Sequence, residues 1–403
     1  MTDLRIQVVR TIADIPAARW DACANPQSEL QVCAYNPFIS HDFLAALELS
    51  GSAIARTGWQ AQHLVAEAND GAIAGVVPCY LKSHSRGEYV FDAGWADAYE
   101  RAGGSYYPKL QVSVPFTPAT GHRLLAAPGP RADAVRRGLA AGLIELAALR
   151  EASSVHVTFA PQDEWTLLGE HGYLLRNDQQ FHWENGGYKT FEDFLGALAA
   201  RKRKAIRRER AGALEPGIEV QWLTGSDLTE SVWDAFFAFY METGSRKWGR
   251  PYLTRKFYSL IGERMADKVL LVMAKRAGRF IAGAINFIGG DALYGRHWGA
   301  VEHHPFLHFE LCYYQAIDFA IQRKLARVEA GAQGEHKLAR GYMPVTTCSA
   351  HYIADPALRR AIADYLKRER AYVAAAGSEL AAMGPFRKDL VLEKTAGGID
   401  AEL

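Results

Sequence analysis

Apolar and polar positions alternate most regularly between residues 269 and 338. An apolar run over 269–273 is closed by the turn signal Arg276-Ala277-Gly278-Arg279. A second β-prone run, 280–288, ends at Gly289-Gly290-Asp291, and a third covers 292–298. Runs joined by short glycine-bearing loops predict a three-strand antiparallel meander. From 307 to 324 the period changes. Phe309, Tyr313, Ala316, Ile317 and Ala320 recur at helical spacing and form one apolar stripe. A strand at 326–330 follows, and then the polar group Gly331-Ala332-Gln333-Gly334-Glu335-His336-Lys337. A meander, a crossover helix and a returning strand make a mixed sheet, in which ligand sites gather where strands splay and helices begin. Two polar clusters fall at such places: Arg296-His297-Trp298 through His308 to Glu310, and Glu335-His336-Lys337.

The first half has the same rhythm. A strand within the first 30 residues leads to a short helix around Trp20, and Ser40 caps a helix over 40–49. Asn69-Asp70-Gly71 turns a hairpin between 62–68 and 72–81. A strand at 89–92, a Gly- and aromatic-rich loop over a cleft at 93–109, and a strand at 110–114 come next. Pro128-Gly129-Pro130 precedes a helix over 132–149, and 155–159 returns as a strand. Hairpin, strand, helix, strand is also the order in 269–338. The expected architecture is α/β: two tandem lobes of mixed, mostly antiparallel sheet flanked by helices. The first lobe is 1–178, the second is 179–384, and 385–403 is a loose tail.

The second lobe opens with a strand at 179–184 and a helix over 191–210. Phe191, Phe194, Leu195, Leu198, Ala205 and Ile206 make its apolar stripe, interrupted by Lys202 and Glu209. A strand at 218–223 and a helix over 226–240 lead to the basic aromatic loop GSRKWGRPY at 244–252. A strand at 347–353 and a helix over 356–375, packing back on the first lobe, close the fold.

Composition narrows the function without naming it. Of 403 residues 49% are apolar and 23% charged, and the formal charge is +1, so any affinity for polyanions must be local. Five scattered cysteines without a CxxC pair speak against a disulfide framework or a zinc ribbon and fit a reducing compartment. The first 16 residues alternate like a strand and lack the apolar stretch of a signal peptide. The apolar run 139–149 is broken by Glu145, well short of the ~18 residues of a membrane helix. A cytoplasmic location is expected.

Four groups carry candidate chemistry. Residues 201–210 hold seven Lys or Arg against one Glu, so Arg203, Lys204, Arg207 and Arg208 could neutralise a polyanion such as a diphosphate or a tRNA backbone. Lys247, Trp248 and Tyr252 combine charge with stacking surface, which suits a phosphate next to a base or sugar. The histidines 297, 303, 304 and 308 crowd one segment, but their spacing does not aim them at one point, and no metal is expected. Glu310 fits either a helix-dipole partner or a general base. Glu335, His336, Lys337 and Arg340 put a base, an acid and oxyanion stabilisers side by side.

The strings IAGAINFIGGDALYGRHWGA, LHFELCYYQAIDFAIQ and EAGAQGEHKLARGYMPV resemble the second lobe of the FemAB-like branch of the GNAT acyltransferase superfamily. The resemblance extends over most of the chain, from NPFISHDFLAALE at Asn36 onward. It implies a tandem GNAT-like arrangement with a basic helix where 201–210 lies. There are two departures. The lysine that this branch often carries in a Phe-Lys pair before Phe-Gly is replaced by Leu338-Ala339 before Tyr342-Met343, or displaced to Lys337. The Arg/Gln-x-x-Gly-x-Gly/Ala loop of acetyl-CoA-using relatives is absent from both AVEHHPFLHFE and APGPRADAV, which argues against ordinary CoA binding.

The resemblance implies an N-acyltransferase or aminoacyltransferase, with acyl-CoA or aminoacyl-tRNA as co-substrate and tRNA as the corresponding partner. The acceptor would be an amine, either a small molecule or a cell-envelope precursor. Glu310, Glu335 or His336 would take the amine proton, and Lys337 or Arg340 would stabilise the oxyanion. The basic helix, with Arg296, His297, Trp298 and His308, would hold substrate. Two alternatives stand beside it: acetyl-CoA-dependent N-acetylation of a small amine, and a non-catalytic module for a cell-wall or lipid-linked phosphate ligand.

Overall fold

The computed structural model describes residues 4–27, 34–215, 217–248, 251–331 and 334–387. It forms two compact units: Met1–Asp178 with Tyr252–Ala266 and Thr346–Ala374, and Gln179–Pro251 with Asp267–Val345 and Ala375–Leu403. The chain therefore does not divide at one point. The stretch after 178 contributes two segments to the first unit. One of these carries Phe257, whose ring meets Phe43 edge-on at 5.7 Å, and Thr254, whose hydroxyl donates to the Ser50 carbonyl at 3.1 Å.

The first unit contains β1 (Arg5–Val9), α1 (Ala17–Ala24), α2 (His41–Leu49), β2 (Trp59–Ala61), β3 (His63–Glu67), β4 (Ile73–Val77) and β5 (Cys79–Lys82). It continues with α3 (Ala93–Arg101), β6 (Lys109–Val112), β7 (Leu125–Ala126), α4 (Ala132–Leu149), β8 (Ser154–Ala160), α5 (Gln162–Glu170) and the start of β9 (Leu174–Glu184). The Ser40 hydroxyl accepts from Phe43 N and caps α2 as its position predicts. Strands β1-β3-β4-β7 form one antiparallel sheet. Strands β2, β5 and β6 pair antiparallel, and β8 joins β6 in parallel after the α4 crossover.

Three sequence expectations change here. The 72–81 strand breaks at Pro78, which has no N–H to donate to a ladder, so β4 and β5 lie in different sheets. The expected strand at 89–92 is irregular, with Tyr89 at φ 60°. The expected loop at 93–109 begins as helix α3, which buries Trp95 and Ala96.

The reason lies in a buried ionic cluster. Lys109 Nζ donates to Asp92 at 2.5 Å, Glu88 at 2.6 Å and Ser85 at 2.8 Å. The chain between Lys82 and Lys109 bends to bring these groups together. Behind them, the Tyr106 hydroxyl donates to Asp92 at 2.8 Å, and the His156 and His351 Nδ1 atoms lie 2.7 Å apart.

The second unit has α6 (Phe191–Ala197), α7 (Ala200–Leu214), β10 (Ile218–Leu223) and α8 (Glu230–Trp248). Helix α9 (Arg255–Met265) belongs to the first unit. Then come the meander β11 (Val269–Arg276), β12 (Arg279–Ile288) and β13 (Ala292–Ala300), close to the predicted runs. The crossover helix is α10 (Leu307–Phe309), a π turn (Glu310–Tyr314) and α11 (Gln315–Gln322). Strand β14 (Arg327–Glu329), a 3-10 helix (Glu335–Arg340), β15 (Met343–Ile353) and α12 (Pro356–Ala382) complete the chain. Strands β10 to β13 pair antiparallel in order. Strand β14 is parallel to β13, and residues 182–184 of β9 close the far side antiparallel to β14. Antiparallel pair, helix and parallel strand thus occur in both units.

The predicted 191–210 helix is two helices. Leu198 is extended and bridges Phe386, while Ala199 N donates to the Pro385 carbonyl at 2.9 Å. The tail is therefore anchored through 387, and residues 388–403 lie outside the described ones. Helix α8 runs through Trp248, so the predicted loop at 244–252 is helical in its first half.

Both His156 and His351 are buried, and burial holds each imidazole below its ordinary range, His156 down to about 3. Lys109 and Arg176 push in the same direction, and Asp92 opposes them. In the unfolded chain these imidazoles take up protons below about 6.5. Stability is therefore full above that pH and falls as pH drops from 7 to 5, by up to about 1.4 kcal/mol per pH unit for each imidazole. Urea midpoints across this window should decline, and the decline should be shallower in His351→Gln.

Candidate functional site

Strands β13 and β14 pair over three residues only, Ala292–Tyr294 against Arg327–Glu329. From Gly295 onward β13 leaves its parallel neighbour, and a cavity of about 230 Å³ opens there. Its floor comes from Ala284–Asn286 of β12 and Gly295–Trp298 of β13; its walls include Tyr240 and Thr243 of α8 and His308, Cys312 and Tyr313 of the crossover helix. Helix α8 lies so close to β13 that a Cβ at Gly299 would stand 2.0 Å from the Phe239 carbonyl oxygen. A second, larger space of about 790 Å³ shares Thr243, Trp298 and His308 with the first and is otherwise bounded by Glu242, 300–306 and Phe309.

Three predicted substrate residues, Arg296, His297 and Trp298, line the first cavity together with His308. Trp298 and His308 meet edge-on at 5.1 Å. Burial, with Arg296 adjacent, holds His297 neutral down to about 3. Sequence reasoning missed Asn286, Tyr240, Thr243 and Tyr313. Asn286 sits at a bulge in the β12–β13 register, which strand periodicity does not reveal. Tyr313 falls in the apolar stripe of the crossover helix, where spacing alone does not mark it as a site residue.

The π turn decides what the crossover helix presents. Glu310 is fully buried and lines neither cavity. Its Oε1 accepts from Arg210 at 3.0 Å and from Gln315 Nε2 at 2.7 Å. Arg210 also donates to Asp318 at 2.7 Å and stacks over the Phe191 ring at 4.3 Å. Burial raises the Glu310 carboxyl above its ordinary range against the opposing pull of Arg210. Next to Arg210 on α7, Glu209 accepts from the Tyr314 hydroxyl and from Arg340 at 2.9 Å. This is why Glu209 interrupts the apolar stripe. Arg340 stacks on Phe309 at 3.5 Å and donates to the His336 carbonyl at 2.7 Å.

In the 3-10 helix, Lys337 is buried and donates to the Gly331 carbonyl at 2.9 Å. Burial lowers its amine to about 8, and the Arg296 charge pushes the same way. His336 is exposed, and its Nε2 lies 2.8 Å from the Tyr313 hydroxyl. Burial raises the Tyr313 phenol well above its ordinary range, so it stays protonated. The side chains of Glu335, Lys247 and Trp248 lie outside the described ones. Tyr252 belongs to the first unit, where it stacks on Phe116 at 4.8 Å.

On α7, Arg207 pairs with Glu192 at 2.5 Å, whereas Arg201, Lys202, Arg203, Lys204 and Arg208 have no ion pair among the described residues. His304 and Arg276 both pair with Glu302. Among the described residues no group of three or more His, Cys, Asp or Glu side chains is arranged to hold a metal. No helix there is long and apolar enough to cross a membrane.

Two α/β units, each with an antiparallel pair, a crossover helix and a parallel strand, define a tandem GNAT-like fold. The chain belongs to the FemAB-like family, described as one of peptidoglycan biosynthesis or recognition, which it matches over residues 11–388. Among solved structures the chain is similar to FemX, at 12% identity and a TM-score of 0.53, over 89% of this chain and 100% of that one. The TM-score is lower, 0.47, for a tandem GNAT protein from the clavulanic acid biosynthesis pathway, at 14% identity and coverage of 88% and 99%. It is also lower, 0.48, for L-PGS from Bacillus licheniformis, at 9% identity and coverage of 83% and 99%. At these identities the likeness to FemX speaks for the fold alone. No curated protein matches the chain.

Removing Arg210 strands a buried carboxylate. Arg210→Met should lower stability by about 3 kcal/mol or more, measured by denaturant unfolding. Arg210→Met/Glu310→Gln should recover most of the loss, because Gln is neutral at this buried position.

Proposed function

We propose that the chain is an N-acyltransferase that moves an acyl or aminoacyl group from a phosphate-bearing donor to an amine. The observation that carries this reading is the division of charge on α7. Arg210 is neutralised by Glu310 and Asp318, while Arg201, Lys202, Arg203, Lys204 and Arg208 have no ion pair among the described residues. The helix packs against α10, the π turn and the 3-10 helix, and the first two of these also wall the cavities. A polyanionic donor carrier on α7 and an acyl group in the smaller cavity make one arrangement.

In this arrangement the amine nitrogen attacks the acyl carbon, a C–N bond forms, and the C–O or C–S bond to the carrier breaks. The Tyr313 phenol can protonate the departing oxygen or sulfur. The proton lost by the amine returns to the tyrosine through His336, so the pair ends as it began. Lys337 and Arg296 supply positive potential beside the cavity, where charge develops on the acyl oxygen. The family description favours an acceptor amine on a cell-wall precursor.

Donor binding tests the reading. Purified protein is titrated with aminoacylated tRNA and with acetyl- and long-chain acyl-CoA at two salt concentrations, next to Arg203→Ala/Lys204→Ala/Arg208→Ala. One donor class should bind, and the variant should bind it more weakly. For tRNA the slope of log affinity against log salt should fall by roughly 2 to 3, the share of three cations. Binding of neither donor, or an unchanged variant, would overturn the reading.

A further inference from the structure

Asn286 is a buried polar group of the second unit that calls for an explanation. It is 1% exposed, its Nδ2 has no hydrogen-bond partner among the described residues, and it forms part of the wall of the 230 Å³ cavity. A buried amide left unpaired loses its hydration without compensation, which folded proteins rarely tolerate without a reason. The chain around it makes room for it. The β12–β13 register shifts between Ile285 and Asn286, and the residue opposite is Gly295, where a Cβ would come within 3.3 Å of Asn286 Oδ1. A side chain at 295 would crowd the amide.

The rest of the wall shares one bias. Its described lining includes Arg296, the neutral His297, Thr243 and the hydroxyl of Tyr313, and it contains no carboxylate. Buried Lys337 adds a cation close enough to feel the Arg296 charge. Such a wall offers donors to an oxygen and no charged acceptor to an ammonium. The volume is that of about seven or eight liquid waters, enough for a short acyl group.

We infer that this cavity is an acyl pocket in which Asn286 selects short acyl groups that end in an acceptor oxygen, carboxylate above all, over those that carry an ammonium. This rests on the acyl-transfer reading for the word acyl. The preference for an oxygen anion belongs to the cavity itself and can be measured without any donor.

Cys312 provides the readout. It lies in the same wall, is in no disulfide and is partly accessible, whereas Cys23, Cys79 and Cys348 are buried. Purified protein is alkylated with iodoacetate or iodoacetamide, and modification is read at each cysteine by peptide mass mapping, with glutathione as the solvent reference. At Cys312 the iodoacetate-to-iodoacetamide rate ratio should exceed that of glutathione about tenfold. Succinate should protect Cys312 from iodoacetamide, and putrescine should not. Asn286→Leu should bring the ratio close to the glutathione value. Asn286→Asp, which keeps the shape and reverses the polarity, should push it below that value and shift protection toward putrescine. A wild-type ratio equal to glutathione, equal protection by the two ligands, an unchanged ratio in both variants, or no labelling of Cys312 by either reagent would each overturn the inference. A normal result here with no transfer from any donor would leave the pocket standing and remove only the transferase reading.

Discussion

The three-residue parallel ladder between β13 and β14 is the constraint on which the site depends. A parallel strand that kept its neighbour along its full length would fill the space with backbone. Here β14 ends at Glu329 and β13 continues to Ala300, so the sheet parts, and the walls are supplied by α8 and the crossover helix. Glycine at 295 and 299 keeps that opening compatible with a bulged neighbour on one side and a tightly packed helix on the other. Main-chain spacing creates the cavity, and side chains then give it a chemical character.

Charge neutrality orders the surroundings. Two adjacent residues of α7, Glu209 and Arg210, point to different partners: one to Arg340 and Tyr314, the other to Glu310 and Asp318. Both of these charges are matched, which fixes the helix over the crossover and the 3-10 turn. Desolvation would make an unmatched charge at either place costly. Among the described residues the cations at 201–204 and 208 have no such match, so α7 is compensated at Glu209 and Arg210 and positive along the rest of its length. Glu310, which by position in the sequence could have served as a base, is used to hold this helix.

Much of the fold was legible because it is written in period and punctuation. The meander, the capped α2 helix and the α4 crossover follow from alternation, glycine turns and an N-cap serine. What stayed hidden depends on partners far away in sequence. The 191–210 helix breaks because Phe386 and Pro385 take up the backbone at Leu198 and Ala199. Helix α3 is masked by glycine and aromatic composition and by an Asp92 whose carboxylate is committed to Lys109 and Tyr106. At the site, Arg296, His297, Trp298 and His308 were visible as a polar cluster at a strand end. Asn286 was not, because one asparagine in a strand carries no periodic signal, and the π turn has no sequence signature that separates it from an ordinary helix.

The first unit is assembled from three separated stretches, the last of them Thr346–Ala374. During synthesis its opening portion leaves the ribosome long before strand β15 and the early turns of α12 exist. Ile353, Ile362 and Leu366, which share a buried cluster with Trp95 and Tyr106, arrive only after most of the second unit has been made. The N-terminal portion must therefore wait with an incomplete core while the later one forms, the reverse of the usual order in which the N-terminal domain finishes first. A chain cut between the units at residue 178 would never supply the missing piece.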